Sequence, residues 1–191
     1  MDRREEIFEF IKQDFQEKIK EKGLKISVDI ENNEEEIKSI FLEKVDKLFR
    51  KSIEENKEIK YFLISQLKSS ILTKSYEVLL SIYTEDFYLQ KEKYMEYFKI
   101  PFLFENVDIE MEKFNTKIKN NFKKILKFEL EEIKQKYIEE HKIIVMLITI
   151  HFLKYIYELE SFKNLKKKDL SFLYGEYMDK AVELFKYEEG E

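Results

Sequence analysis

Apolar residues recur along most of this 191-residue chain at intervals of three and four, which is the spacing of one face of an α-helix. The first such stretch covers about residues 3–22, and Gly23 is well placed to end it. Residues 24–30 alternate between apolar and polar side chains, as a strand would. Because no second strand is evident to pair with them, the sequence predicts an extended connector that lies on the core.

The next predicted helix has a recognisable start. Asn33 is followed three residues later by Glu36, and this arrangement resembles a capping box, in which two side chains satisfy backbone N–H groups of the first turn. Apolar positions then continue at helical spacing. We therefore expect a helix that begins at Asn33 and runs to about residue 55.

Helical spacing continues through the middle of the chain. One helix, or a pair, is predicted over residues 57–83. Thr84 can cap another helix, which should end before Pro101 because the residue that precedes a proline disfavours helical backbone. Asp108 can cap a long amphipathic helix that extends to about Glu140.

The segment 143–157, IIVMLITIHFLKYIY, is apolar on every side except at Thr149, His151 and Lys154. A helix that is apolar all round is normally buried, so this one is predicted to form the centre of the core. Its residues would rise only ~22 Å against the ~30 Å hydrocarbon layer of a bilayer, and Lys154 lies inside the stretch. No membrane span is therefore expected.

Turn residues are scarce in this sequence. Three glycines and one proline punctuate it, whereas a β-rich domain needs turn residues at its strand ends. A last helix is accordingly predicted over residues 169–187, bent near Gly175. The expected fold is all-α: a single globular domain over residues 1–191, with about six to eight helices in a globin-like or bundle arrangement around the central helix 143–157.

Composition narrows the function classes. The absence of cysteine removes thiol catalysis, thiolate zinc sites and disulfides, and it agrees with a cytoplasmic location. The net charge of −5, from 40 acidic and 35 basic residues, should repel polyanions, so nucleic acid is not an expected partner. The basic residues of segment 163–168 are interpreted as part of a solvated loop.

The chain carries few groups that could perform catalysis or bind metal. His141 and His151 are the two histidines, and on one helix they would lie about 80° apart, which is too far to share an ion easily. Ile138 and Ile148 occupy the positions three residues before them, where di-iron bundles have glutamate. Serine-nucleophile, P-loop and dinucleotide motifs are absent from the sequence. We therefore predict a non-enzyme without a metal site or cofactor.

The stretch Glu34–Tyr88 resembles the early helices of bacterial sensor globins. The likeness rests on an apolar helix that ends at residues 48–49, a short acidic connector to residues 59–62, and an apolar segment at 79–80 before an acidic turn. Haem-binding members of that family would have an iron-ligating histidine around residues 94–104, and this sequence has none there. His141 would be a ligand only under a different helix alignment.

The resemblance implies a relative without haem, and some haemless sensor globins hold an apolar ligand and pass its occupancy to a signalling partner. We therefore predict a non-enzymatic helical sensor or binding module that has a protein partner and holds an apolar small molecule. The sequence leaves open whether the chain is a monomer or a homodimer formed through an amphipathic helix pair. The alternatives are a protein-interaction or inhibitor protein with a solid core, a haem-binding gas sensor, and a DNA-associated regulator. From the placement of aromatic residues, the predicted ligand pocket consists of Phe62, Tyr76, Tyr94, Phe98 and His151.

Overall fold

Strands as well as helices build this protein. A computed structural model describes residues 2–90, 94–100 and 102–187. It is mixed α/β, with 59% helix and 21% strand, so the prediction of an all-α, globin-like or bundle fold is wrong. In chain order the elements are α1 (Arg3–Asn32), α2 (Glu34–Glu54), β1 (Ile59–Gln66), α3 (Lys68–Thr73), β2 (Glu77–Tyr83), β3 (Tyr94–Lys99), α4 (Val107–Asn121), α5 (Lys127–Glu139), α6 (Lys142–Leu153), α7 (Glu160–Asn164), β4 (Lys167–Glu176) and β5 (Ala181–Tyr187).

The chain divides into two compact units. Unit 1 comprises Met1–Asn32 and Pro101–Val145, and it contains α1, α4 and α5. Unit 2 comprises Asn33–Ile100 and Met146–Glu191, and it contains α2, α3, α7 and all five strands. Helix α6 passes from the first unit into the second.

Helix α1 in unit 1 is longer than predicted, because residues 24–30 are helical rather than an extended connector. The alternating pattern there also fits a helix. Ile26 and Ile30 are buried at the four-residue spacing, while Leu24 and Val28 are left 67% and 52% exposed. The free energy gained by burying Ile26 and Ile30 outweighs the cost of leaving two apolar side chains exposed.

The predicted helix from Asp108 to Glu140 is divided into α4 and α5. Lys124, between them, has a left-handed backbone with φ of 55°. The break has a packing reason. The Phe15 ring of α1 contacts Phe114 of α4 at a centroid distance of 4.8 Å and Tyr137 of α5 at 4.7 Å. In one straight helix those two residues would lie ~34 Å apart, so the chain must fold back to bring both to Phe15.

Unit 2 is built on a five-stranded mixed sheet with the strand order β3-β2-β1-β4-β5. Strands β1 and β4 pair in parallel, and the other neighbours pair in antiparallel fashion. The helices predicted over residues 57–83, between Thr84 and Pro101, and over residues 169–187 are therefore wrong, because β1 to β3 and the β4–β5 hairpin occupy most of these segments.

The central position of β1 in the sheet explains why its apolar pattern resembles that of a helix. Phe62, Leu63 and Ile64 are successive residues, and all three are completely buried because both faces of the strand are covered. Such a strand shows a continuous apolar run rather than alternation. Spacing alone does not distinguish it from a segment of buried helix.

Residues other than glycine form several of the turns. The scarcity of glycine therefore does not exclude a sheet. Lys74 and Tyr76, which lie between α3 and β2, have φ values of 59° and 53°. Met178, in the β4–β5 turn, has a φ of 57°. Each of them adopts the left-handed conformation that glycine adopts most readily.

Helix α2 covers one face of the sheet in unit 2. Its observed range agrees with the predicted helix of residues 33–55. Phe49 packs against Phe62 of β1 at a ring-centroid distance of 6.1 Å, and Phe41 packs against Phe98 of β3 at 5.3 Å. The centre of this unit is therefore the interface between α2 and the sheet.

Helix α6 does not have the predicted central role. It ends at Leu153 rather than at residue 157, and its Ile143 and Leu147 are 59% and 58% exposed. Across residues 2–90, 94–100 and 102–187, no helix combines the length and apolar content that crossing a bilayer requires.

Gly23 and Gly175 should respond oppositely to replacement by alanine. A Cβ on Gly175 would overlap the Lys180 carbonyl oxygen and lie 2.6 Å from the Ala181 Cα, and these backbone atoms have little freedom to move. Gly175→Ala should therefore lower the free energy of unfolding by on the order of 2–4 kcal/mol in urea titrations. Gly23→Ala is the matched control. Its Cβ would meet only the Ile144 Cδ1 at 3.7 Å, and it should stabilise helix α1 by about 0.5–1 kcal/mol. Equal effects of the two variants would contradict the described strand geometry at Gly175.

Candidate functional site

The residues predicted to line a ligand pocket are all in unit 2, and most of them belong to its packed core. Phe62 is completely buried, and its ring lies 6.1 Å from that of Phe49 and 5.6 Å from that of Phe172. Phe98 is almost completely buried against Phe41. These rings contact one another between α2 and the sheet.

Tyr94 and Tyr76 have different surroundings. Tyr94 shares the sheet face of Phe62, because both residues pair with Ile82, and its hydroxyl donates a hydrogen bond to the Glu55 carboxylate at 2.6 Å. Tyr76 lies outside the strands, in the turn before β2. The structure thus brings Phe62, Tyr94 and Phe98 together as core and places Tyr76 elsewhere.

His151 is half-buried on α6 and is engaged with the start of α2. Its Nε2 lies 2.8 Å from a carboxylate oxygen of Glu34, which also accepts a hydrogen bond from the Tyr155 hydroxyl at 2.5 Å. The hydrogen bond from Tyr155, followed by that from His151, holds the pKa of Glu34 below its ordinary value. This arrangement fastens α6 to the first residue of α2.

Unit 1 contains four buried residues with polar side-chain groups, which we call the buried polar cluster: Lys22, Glu110, Tyr137 and His141. The Lys22 Nζ donates to the Glu110 Oε2 at 2.7 Å, and the Tyr137 hydroxyl donates to the same oxygen at 2.8 Å. Helices α1, α4 and α5 supply these three residues, and His141 stands in the turn before α6. The cluster therefore depends on the tertiary packing of unit 1.

Burial changes the acid–base properties of the cluster. Desolvation lowers the pKa of Lys22, although its hydrogen bond to Glu110 acts in the opposite direction. Burial, together with the neighbouring Glu110, raises the pKa of Tyr137 far above its ordinary value. A buried ion pair is costly to desolvate and often contributes less stability than apolar side chains of similar size. Perturbed ionisable groups of this kind mark a candidate functional site.

His141 is the most unusual member of the buried polar cluster. It is completely buried, its ring lies 4.8 Å from that of Tyr137 and 5.4 Å from that of Phe104, and burial lowers its pKa to about 4, with a further contribution from the charge of Lys22. The imidazole is therefore neutral at pH 7. Its Nδ1 lies 2.8 Å from the Tyr137 carbonyl oxygen, a contact that requires the proton on Nδ1.

The Nε2 atom of His141 consequently presents a lone pair. This atom is buried and has no hydrogen-bond partner within the described part of the chain. An N–H donated to a backbone carbonyl is also how many metal-binding histidines fix their tautomer. The described residues include no group of three His, Cys, Asp or Glu side chains that could hold a metal ion. The arrangement offers one fixed hydrogen-bond acceptor in apolar surroundings.

The sequence predicts no metal-binding role for His141 and does not identify the buried polar cluster. Lys22 and Glu110 are 88 residues apart, so no local motif connects them. A signal was nevertheless present, because Lys22 occupies a position on the buried face of α1 between Phe15 and Ile26. A lysine within an apolar stripe indicates a buried partner for its charge.

Comparisons with protein-family models, with curated proteins and with solved structures find no significant match to this chain.

The stability of the protein should depend on pH through His141. Its pKa is about 4 when folded against an ordinary 6.5, so the unfolded chain takes up the proton first as the pH falls. The free energy of unfolding should be highest above pH 6.5 and should decrease by roughly 3 kcal/mol as the pH falls from 6.5 to 4. Urea titrations at several pH values measure this decrease.

Two histidine variants separate this effect from other titrations. His141→Leu should remove most of the pH dependence between 6.5 and 4, whereas His151→Gln, at the half-buried histidine, should leave it in place. A steep pH dependence that survives in His141→Leu would show that another group causes it.

Proposed function

We propose that this protein is a non-enzymatic binding module in which the buried polar cluster holds a small ligand and the bound state is communicated to a protein partner. The observation that carries the proposal is the fixed lone pair of the His141 Nε2, which lacks a hydrogen-bond partner among the described residues. Leaving a buried acceptor unsatisfied costs about 1–3 kcal/mol. A ligand that donates one hydrogen bond would recover that free energy.

The surroundings of His141 define the ligand class. The rings of Tyr137 and Phe104 lie against the imidazole and favour apolar or aromatic contact. The Lys22 ammonium and the Glu110 carboxylate neutralise each other, so the cluster has no net charge to attract an ion. The proposed ligand is therefore a small, mostly apolar molecule with one O–H or N–H donor, such as a phenol or an alcohol.

This proposal differs from the sequence-based one in where the ligand binds. The aromatic residues Phe62 and Phe98 pack against neighbouring rings, which supports a solid core at that place. The proposed ligand site is in unit 1 and depends on His141. The cytoplasm remains our predicted compartment, because the chain lacks cysteine.

The experiment is native mass spectrometry of the purified protein, followed by titration with phenol. We expect either a co-purified small molecule or saturable binding of phenol. In protein with ¹⁵N-labelled histidine, the His141 Nε2 resonance should shift on binding and that of His151 should not. His141→Leu should abolish binding, and His151→Gln should leave it unchanged.

The same measurements can contradict the proposal. Phenol binding that is equally strong in His141→Leu, or no binding at all, would refute a site at the Nε2 atom. A haem absorption band in the purified protein that disappears in His141→Leu would show that the ligand is haem rather than a phenol-like molecule. A single histidine can hold haem iron.

A second candidate function is protein interaction through α6, without a ligand. Ile143 and Leu147 are four residues apart on this helix, and each is more than half exposed, although a helix apolar on all sides is normally buried. The partner in this second candidate is another copy of the same chain, whose α6 would cover the exposed Leu147. The mass spectra report the subunit count directly. A dimer that Leu147→Glu dissociates would support this second candidate, and a monomer would contradict it.

A further inference from the structure

A cleft of about 300 Å³ lies beside α3 in unit 2. It is bordered by the beginning of β2, the edge strand β3 and the turn that follows β4. The backbone N–H of Tyr177 in that turn donates to the carbonyl of Gln66 at 3.1 Å, which fixes the turn against the end of β1. We propose that this cleft binds a small organic ammonium cation.

The charge for such a ligand comes from Glu77, the first residue of β2. Its side chain lines the cleft and is half-buried. Its carboxylate makes no hydrogen bond or ion pair with any residue in the ranges 2–90, 94–100 and 102–187. A partly desolvated carboxylate without a counter-ion favours a cation that can approach it closely.

Two tyrosines and two hydroxyl-bearing residues also line the cleft. Tyr97 and Tyr177 are among the lining residues, and the face of a tyrosine ring attracts an ammonium group. The Thr73 hydroxyl donates to the Ser69 carbonyl at 3.0 Å, which leaves its oxygen lone pairs available to accept. Ser75 is a further lining residue with a hydroxyl group. An ammonium group has three donors, which these acceptors and the Glu77 carboxylate can share.

The remainder of the cleft favours an alkyl chain. Leu79 and Met95 lie on the same face of the sheet, since Leu79 pairs with Tyr97 and Met95 with Ser81 on neighbouring strands. Both apolar side chains line the cleft. A ligand with a short hydrocarbon part and one terminal ammonium would therefore match both the charge and the apolar surface.

Lys99 provides a test of the electrostatic argument. It lies opposite Glu77 in the pairing of β2 with β3, and it makes no ion pair with Glu77 or with any other described residue. Its ammonium should repel a bound cation and weaken binding. Neutralising Lys99 and neutralising Glu77 should therefore change the affinity in opposite directions.

The experiment is an NMR titration of the ¹⁵N-labelled protein with n-butylammonium, with n-butanol as the neutral probe of the same shape. We expect saturable shifts at Glu77, Tyr97 and Tyr177 with butylammonium, and no saturation with butanol. Glu77→Gln should weaken binding by about tenfold, and Lys99→Ala should strengthen it a few-fold. Glu183→Gln, at an exposed carboxylate on β5, should have no effect.

Several results would overturn the proposal. Equal binding of butanol would show that the cleft recognises only the alkyl chain. Unchanged affinity in Glu77→Gln, or weaker binding in Lys99→Ala, would show that the carboxylate does not provide the charge. Backbone spectra of each variant verify that the sheet is intact, and Lys99→Ala tests the idea independently should Glu77→Gln perturb β2. Binding of butylammonium at Glu77 and binding of phenol at His141 are tested with different probes and variants. Failure of one proposal therefore leaves the other unaffected.

Discussion

The parallel pairing of β1 with β4 is the contact on which unit 2 depends. Strand β1 lies in the middle of the sheet, and β4 reaches it from more than a hundred residues later in the chain, with Phe62 opposite Phe172. The same Phe62 ring packs against Phe49 of α2. Closing so long a loop costs entropy before the contact forms, so the buried apolar surface on both faces of β1 must supply the compensation.

This dependence connects the sheet to the proposed cation site. Strand β2 is held by β1, and β3 by β2, so Glu77 and Tyr97 keep their places only while the central strand is paired. The turn that carries Tyr177 is anchored to the carbonyl of Gln66, the last residue of β1. The cleft beside α3 is therefore a product of the sheet rather than of any local sequence motif.

The buried polar cluster of unit 1 has a different origin. Three helices bring together its Lys22–Glu110 ion pair and the Tyr137 hydroxyl. The Tyr137 carbonyl, one helical turn earlier in the chain, orients His141. Apolar contacts around Phe15 hold those helices together. The stability that these contacts provide offsets the cost of burying charge.

Helix α2 could be predicted from the sequence, whereas the strands and several turns could not, and the difference has physical reasons. Amphipathic spacing correctly predicted α2, because one face of that helix is buried and the other is solvated. It could not identify β1, whose successive residues are all buried, since covering both faces of a strand removes the alternation that distinguishes it. Turns made by Lys74 and Met178 carried no glycine signal.

The candidate sites were harder to predict than the helices. Aromatic residues such as Phe62 and Phe98 suggested a pocket, but aromatic side chains fill a core as readily as they line a cavity. The position of Lys22 on an apolar stripe was the one usable sign of the buried polar cluster. Its partner Glu110 could be identified only from the tertiary structure.

Native-state hydrogen exchange, followed residue by residue by NMR, tests most directly whether the pairing of β1 with β4 supports unit 2. If it does, the paired amides of β1 and β4 should be the last in that unit to exchange, and the outer strand β5 should exchange well before them. Amides of β1 that exchange as fast as those of β5, while α2 stays protected, would contradict the account.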